Sequence, residues 1–104
     1  MTRVEITNDA ITVSGHSGYA PPGHDIVCAG ISALTGMLIE TLTSYGLRDE
    51  DVCVRSGFVE IRLGNVSPIG WHILSAYYHG VKAIARDYAA YAEVVDDVPT
   101  RIRR

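Results

Sequence analysis

The apolar residues of this chain change their period from two to about 3.6 and back, twice, and that alternation leaves few folds open. Val4 and Ile6 alternate with polar neighbours, Asn8-Asp9 marks a turn, and Ile11 and Val13 alternate again. Residues 2–7 and 10–16 are therefore expected to form a β-hairpin. Residues 17–24, with Pro21, Pro22 and Gly23, read as a loop. From Asp25 onward Val27, Ile31, Leu34, Leu38, Leu42 and Tyr45 recur at three- and four-residue steps. That is one face of a helix of about twenty residues, with Asp25 as N-cap and Gly46 as its stop.

The pattern then repeats. Asp51–Arg55 and Phe58–Leu63 read as a second hairpin turning at Ser56-Gly57, followed by a helix with Ser67 as N-cap and Pro68 at its first position. Ile73, Leu74, Tyr77, Val81, Ile84, Ala85 and Tyr88 define that helix's buried face, and residues 91–95 form a short last strand. The order ββαββα(β) predicts an α+β fold: a single small domain with a largely antiparallel sheet packed with two helices.

At 104 residues, 47% hydrophobic and 20% charged, the chain is expected to be one globular domain (1–104), with 96–104 a loose basic tail. A net charge of −3 argues against direct nucleic-acid binding over the whole surface, and the only basic cluster is Arg101, Arg103 and Arg104 in that tail. No apolar run reaches transmembrane length and no signal-peptide pattern stands at the N-terminus, so the expectation is a cytoplasmic protein away from membranes. Cys28 and Cys53 are too few for a disulfide scaffold and read as free thiols. Two separated cysteines and four scattered histidines match no metal-ligand spacing, and no phosphate or dinucleotide loop is present. Neither metal nor cofactor is expected.

Cys28 is the position where chemistry is most plainly written. It falls in the first turn of the helix that Asp25 caps, where partial positive charge and free amides favour a thiolate and can receive an oxyanion. It lies off the Val27–Ile31 stripe, on a face shared with Ser32 and Thr35. The competing reading is an inert buried thiol, the usual state of cysteine. His16 lies twelve positions earlier, at the end of the second strand, and a loop this short lets the two approach. A histidine that caps a strand or bonds loop carbonyls explains it equally. His24 is a rival base beside the helix start, while His72 and His79 read as surface residues of the second helix. Asp25 carries a conflict: a carboxylate that takes the Cys28 amide removes an oxyanion donor and sets a negative charge against thiolate formation, whereas one turned away could orient a histidine. Ser32 is read first as bonding back to the Cys28 carbonyl and second as a tuning group. Cys53, between Val52 and Val54, reads as structural.

Nucleophile, candidate base and flexible segment together point to cysteine-hydrolase chemistry. At these residues the sequence resembles the ribosomal-processing cysteine proteases of the Prp family, whose pattern has Gly-His, a glycine-containing loop, then Asp-Ile-Val-Cys-Ala-Ala-Val-Ser. Here it reads Gly15-His16, a loop ending at Gly23, then Asp25-Ile26-Val27-Cys28-Ala29-Gly30-Ile31-Ser32. The resemblance continues through Ala33-Leu34-Thr35 and, more loosely, Gly80-Val81 to Tyr88. It implies Cys28 as nucleophile, His16 as general base, Asp25 as a motif acid of unassigned role, and a substrate loop containing Ser17, Gly18, Tyr19 and Gly23. It also implies a homodimer whose protein substrate is the N-terminal extension of a large-subunit ribosomal protein, or, for phage-borne relatives, a capsid or scaffold protein. Ser17 stands where the family has Ala, Gly30 and Ile31 replace Ala and Val, and Pro21-Pro22 stiffen the loop. Rival functions are a peptide-binding module without catalysis and a ribosome-associated factor that contacts RNA through the arginine tail.

Overall fold

The computed structural model describes residues 1–95. The elements in chain order are β1 (Thr2–Ile6), β2 (Ala10–Ser14), α1 (Ile26–Leu42), β3 (Val52–Arg55), β4 (Phe58–Arg62), α2 (Pro68–Asp87) and β5 (Ala92–Val94). They build one five-stranded mixed sheet in the order β3-β4-β2-β1-β5. Every neighbour is antiparallel except β5, which runs parallel to β1. The α+β class and the element order are as the periodicity predicts. The proposed basic tail at 96–104 lies outside the described residues.

Register explains why the sheet has one apolar face. Val4 pairs with Val13, Ile6 with Ile11, and Ile11 with Ile61, so residues on the same side of the pleat are all aliphatic. The opposite face carries Arg3, Glu5 and Glu93, with Arg3 within 3.6 Å of Glu5 and 3.8 Å of Glu93. Both helices cover the apolar face. The core joins Val4, Ile6, Ile11 and Ile61 to Leu38 and Leu42 of α1 and to Leu74, Tyr77 and Val81 of α2.

The two helices approach closely where one presents a glycine. A Cβ on Gly80 would lie 3.0 Å from Leu34 Cδ1, and one on Gly30 would lie 3.2 Å from Ile84 Cδ1. The departure from Ala at position 30 thus makes room for Ile84. This second contact surface widens the buried arc of α1 beyond the expected stripe. Thr35, off that stripe, is buried, and its hydroxyl donates to Ile31 O at 2.7 Å and meets the Tyr77 hydroxyl at 2.8 Å. Burial pushes the Tyr77 phenol up to about 12, with the Thr35 hydrogen bond opposing.

Several boundaries differ from the sequence reading. β2 ends at Ser14, so His16 belongs to the following loop. α1 ends at Leu42, and a 3₁₀ turn over Thr43–Tyr45 carries the chain to Gly46, whose φ of 105° permits the stop. Asp51 precedes β3 in a 3₁₀ turn, where its buried carboxylate accepts the Arg48 amide at 3.0 Å and the Asn65 side chain at 3.2 Å. Ser67 precedes α2 as expected, but its side chain makes no capping hydrogen bond. Cys53 is exposed, not structural: it pairs with Glu60 on the solvent face of the edge strand, while Val52 and Val54 point to the helical side. Finally, Ile26–Tyr45 is long and apolar enough by length and composition to cross a membrane, contrary to the sequence reading. In this fold its Val27, Ile31, Leu38 and Leu42 are core residues.

Candidate active site around Cys28

The start of α1 is built by its cap. Asp25 has extended backbone (φ −88°, ψ 99°), and its Oδ1 accepts the Cys28 N–H at 2.9 Å. The conflict posed by the sequence is thereby decided: Asp25 takes the Cys28 amide and does not turn to a histidine. Among the described residues, the Ile26 and Val27 amides keep no protein acceptor and remain the helix-start donors. The other carboxylate oxygen, Oδ2, accepts the Ser17 hydroxyl in a short hydrogen bond. Donation by the Cys28 amide, then by the Ser17 hydroxyl, outweighs burial and holds the Asp25 carboxyl down at about 2, with smaller help from the Ala20 and Tyr19 amides.

The loop returns to the same place from the other side. Gly15, at φ 84°, donates its N–H to Gly57 O at 2.9 Å, and the Met1 nitrogen donates to His16 O at 2.8 Å. These bonds set Ser17 against the thiol: its N–H lies 3.3 Å from Cys28 Sγ. Thr2 Oγ1 sits 4.0 Å from Sγ on the β1 side.

Beyond Ser17 the loop is anchored rather than loose. The Tyr19 N–H donates to Ser17 Oγ at 3.2 Å, and its ring stands edge-on to Tyr88 and Tyr91, with centroids 5.6 and 5.2 Å apart. Pro21 O accepts the His24 N–H at 3.0 Å across Pro22 and Gly23, and Gly23 has φ 85°. Proline followed by a positive-φ glycine is the signature of a type II turn, so the two prolines shape the loop tip.

Cys28, His16 and Ser32 all line two adjoining cavities. One, of about 270 Å³, runs toward β3 and β4 past Gly57 and Phe58. The other, of about 1050 Å³, opens under the loop and is bounded by Gly18, Gly23, His24 and Asp25. Among the described residues no hydrogen bond joins the His16 imidazole to Sγ. The exposed ring lies over Gly57, where an added Cβ would come within 2.9 Å of Nε2. Ser32 faces both cavities and makes no back-bond to the Cys28 carbonyl. His24 borders the loop-side cavity, with no hydrogen bond to the thiol among the described residues, and His72 and His79 are exposed on α2. Sequence reasoning missed Thr2 and the supporting role of Gly57. Thr2 reads as an ordinary strand residue, and Gly57 reads only as a turn.

A family profile described as "Cysteine protease Prp" matches residues 1–93. The chain belongs to that family. Its sheet and helices superpose on the ribosomal processing protease Prp from S. aureus in complex with a covalently linked product peptide: TM-score 0.76, 20% identity, 89% of this chain and 94% of that one. The same protease in complex with a substrate peptide gives a TM-score of 0.68 at 19% identity, over 90% and 95% of the two chains. A Streptococcus mutans protein gives 0.66 at 19%, over 89% of each. No curated protein matches by sequence. Membership makes this chain a cysteine protease, and Cys28 is the partly buried thiol of its two, the other lying on the outer face of an edge strand. Relative to the Prp pattern, the serine at position 17 supplies a hydroxyl that alanine lacks, and that hydroxyl is bound to Asp25.

Proposed function

We propose that this protein is a cysteine endopeptidase in which Cys28 is the nucleophile and His16 the general base, acting on the N-terminal extension of a large-subunit ribosomal protein. The observation that carries this reading is a partly buried thiol at a capped helix start, receiving the Ser17 amide and opening into two cavities that His16 also lines. His16 takes the thiol proton, and the sulfur attacks a peptide carbonyl to give a tetrahedral oxyanion. Because the Cys28 amide is committed to Asp25, oxyanion stabilisation falls to the Ile26 and Val27 amides, the donors at the positive end of α1. The intermediate collapses to a thioester as His16 protonates the leaving amine. Water, deprotonated by His16, then releases the acid and restores the thiol. A base and nucleophile that meet only when peptide is bound are common in ligand-free enzymes.

The ribosomal substrate is supported by the description of the similar S. aureus enzyme as a ribosomal processing protease. A phage capsid or scaffold protein with a similar N-terminal sequence is the substrate to compare. A homodimer is supported by apolar residues of α1 that the described residues leave exposed, Ile26 at 54% and Met37 at 42%. A cytoplasmic location is supported by the two free thiols.

The test is cleavage of synthetic peptides of both substrate classes by purified protein. The ribosomal peptide should be cut, Cys28→Ala should be inert, and His16→Ala should lose roughly 100-fold or more. Full activity in Cys28→Ala removes the mechanism, and cleavage of the capsid peptide alone replaces the substrate.

A further inference from the structure

Three residues of the site are joined by a closed ring of hydrogen bonds. The Ser17 N–H donates to Cys28 Sγ at 3.3 Å, the Cys28 N–H donates to Asp25 Oδ1 at 2.9 Å, and the Ser17 hydroxyl donates to Asp25 Oδ2. Ser17 is 3% exposed, although it sits in a surface loop between Gly15 and Gly18, both at positive φ. Its oxygen is also an acceptor, for the Tyr19 N–H at 3.2 Å. Every polar atom that Ser17 brings to this side of the loop is thus used on the nucleophile, on its cap or on the loop itself. A residue whose task was to touch substrate would present its side chain to a cavity, and Ser17 lines neither of the two at Cys28.

We propose that Ser17 is a positioning residue for Cys28, its hydroxyl locking the loop to Asp25 so that its own amide is held on the sulfur. The physical argument is one of geometry. The Ser17 N–H belongs to a loop, and a loop amide keeps its direction only where the neighbouring atoms are fixed. Asp25 supplies that fixed point because its other oxygen is tied to the first turn of α1. Deleting the hydroxyl leaves the amide in place chemically but releases it mechanically. Sulfur then loses a donor that favours its charged form. The charged and titratable groups around the cavities, His16, His24, Asp25 and Arg55, are the same in every variant below, so a change in thiol behaviour is traceable to Ser17. The depressed carboxyl of Asp25 fits the same ring, because the Ser17 hydroxyl is its second-largest support.

The kinetic part of the test rests on Cys28 being the nucleophile; the alkylation part does not. In a Cys53→Ser background, which removes the exposed thiol, iodoacetamide labelling of Cys28 is followed against pH. In Ser17→Ala the midpoint should rise by roughly half to one pH unit, the equivalent of one net hydrogen bond. Peptide cleavage should show kcat lowered roughly three- to tenfold with KM within about twofold. Ser17→Thr, which keeps a hydroxyl, should return both values toward wild type. A midpoint in Ser17→Ala that stays or falls overturns the proposal, as does a raised KM with kcat intact, the mark of a substrate contact. A Thr variant as deficient as the Ala variant, with an unchanged melting temperature, overturns it too. Should wild-type protein cut neither peptide, the proposed function fails while the alkylation midpoint still decides the role of Ser17.

Discussion

The two helices of this protein begin in opposite ways. Before α2, Ser67 has the extended backbone of a cap but no side-chain hydrogen bond, and Pro68 takes the first position. The start is held by packing: Gly70 is buried so tightly that a Cβ would strike Val66 Cγ1 and come within 3.2 Å of Leu42 Cδ2. Before α1, Asp25 uses both carboxylate oxygens, one on the Cys28 amide and one on the Ser17 hydroxyl. That start borders the two cavities that His16 also lines. Apolar packing holds a helix end in place without bringing a polar group to it, whereas the hydrogen bonds of Asp25 join the α1 start to the thiol residue and to the loop that lies against it.

That contrast can be broken by mutation. The largest effect is expected for Asp25→Ala, which should cost about 100-fold in peptide cleavage, because the cap and the loop anchor go together. The same carboxyl has its pKa lowered from 3.8 to about 2. Its folded pKa is below its unfolded one, so its stabilisation is complete above about pH 4 and is lost as pH falls through about 2. Melting temperatures from pH 5 to pH 2 should therefore fall more steeply for wild type than for Asp25→Asn, which keeps a neutral cap. Comparing those two proteins separates Asp25 from Asp51, whose carboxyl the Arg48 amide also holds down. Next, Gly70→Val should destabilise the protein by about 1–3 kcal/mol through overpacking. Denaturant unfolding measures it, and the labelling rate of Cys28 should not change. If that rate moves, the two helix starts are not independent. The smallest effect is assigned to Ser67→Ala, at less than about 0.5 kcal/mol. A cost near the ordinary N-cap value of about 1 kcal/mol would show that Ser67 caps α2 in solution and would erase the contrast.

Legibility in the sequence followed the range of the interactions. Asp25 as cap of α1 and the Ser56-Gly57 turn depend on neighbours a few residues away, and both stand in the fold, while Gly46 ends the 3₁₀ turn that follows α1 and not α1 itself. The burial of Thr35 and the exposure of Cys53 are not legible in the sequence because their environments are set across long separations. The Tyr77 hydroxyl comes to Thr35 from α2, and an uncovered edge leaves the valine-flanked Cys53 in solvent. Ser32 was misread for a similar reason, since the space beside it is supplied by the loop and by β3 and β4.

The site divides along the same line. By itself the sequence determined that a thiol stands at a capped helix start, because the Asp25 carboxylate reaches only three residues along its own chain. Only the tertiary structure decided what surrounds that thiol. It brought Ser17 onto the sulfur and Thr2 beside it, and it laid His16 over Gly57 rather than in hydrogen-bond contact with Cys28. Those placements depend on where β1, the loop and the β3–β4 turn converge, and no local spacing encodes that convergence.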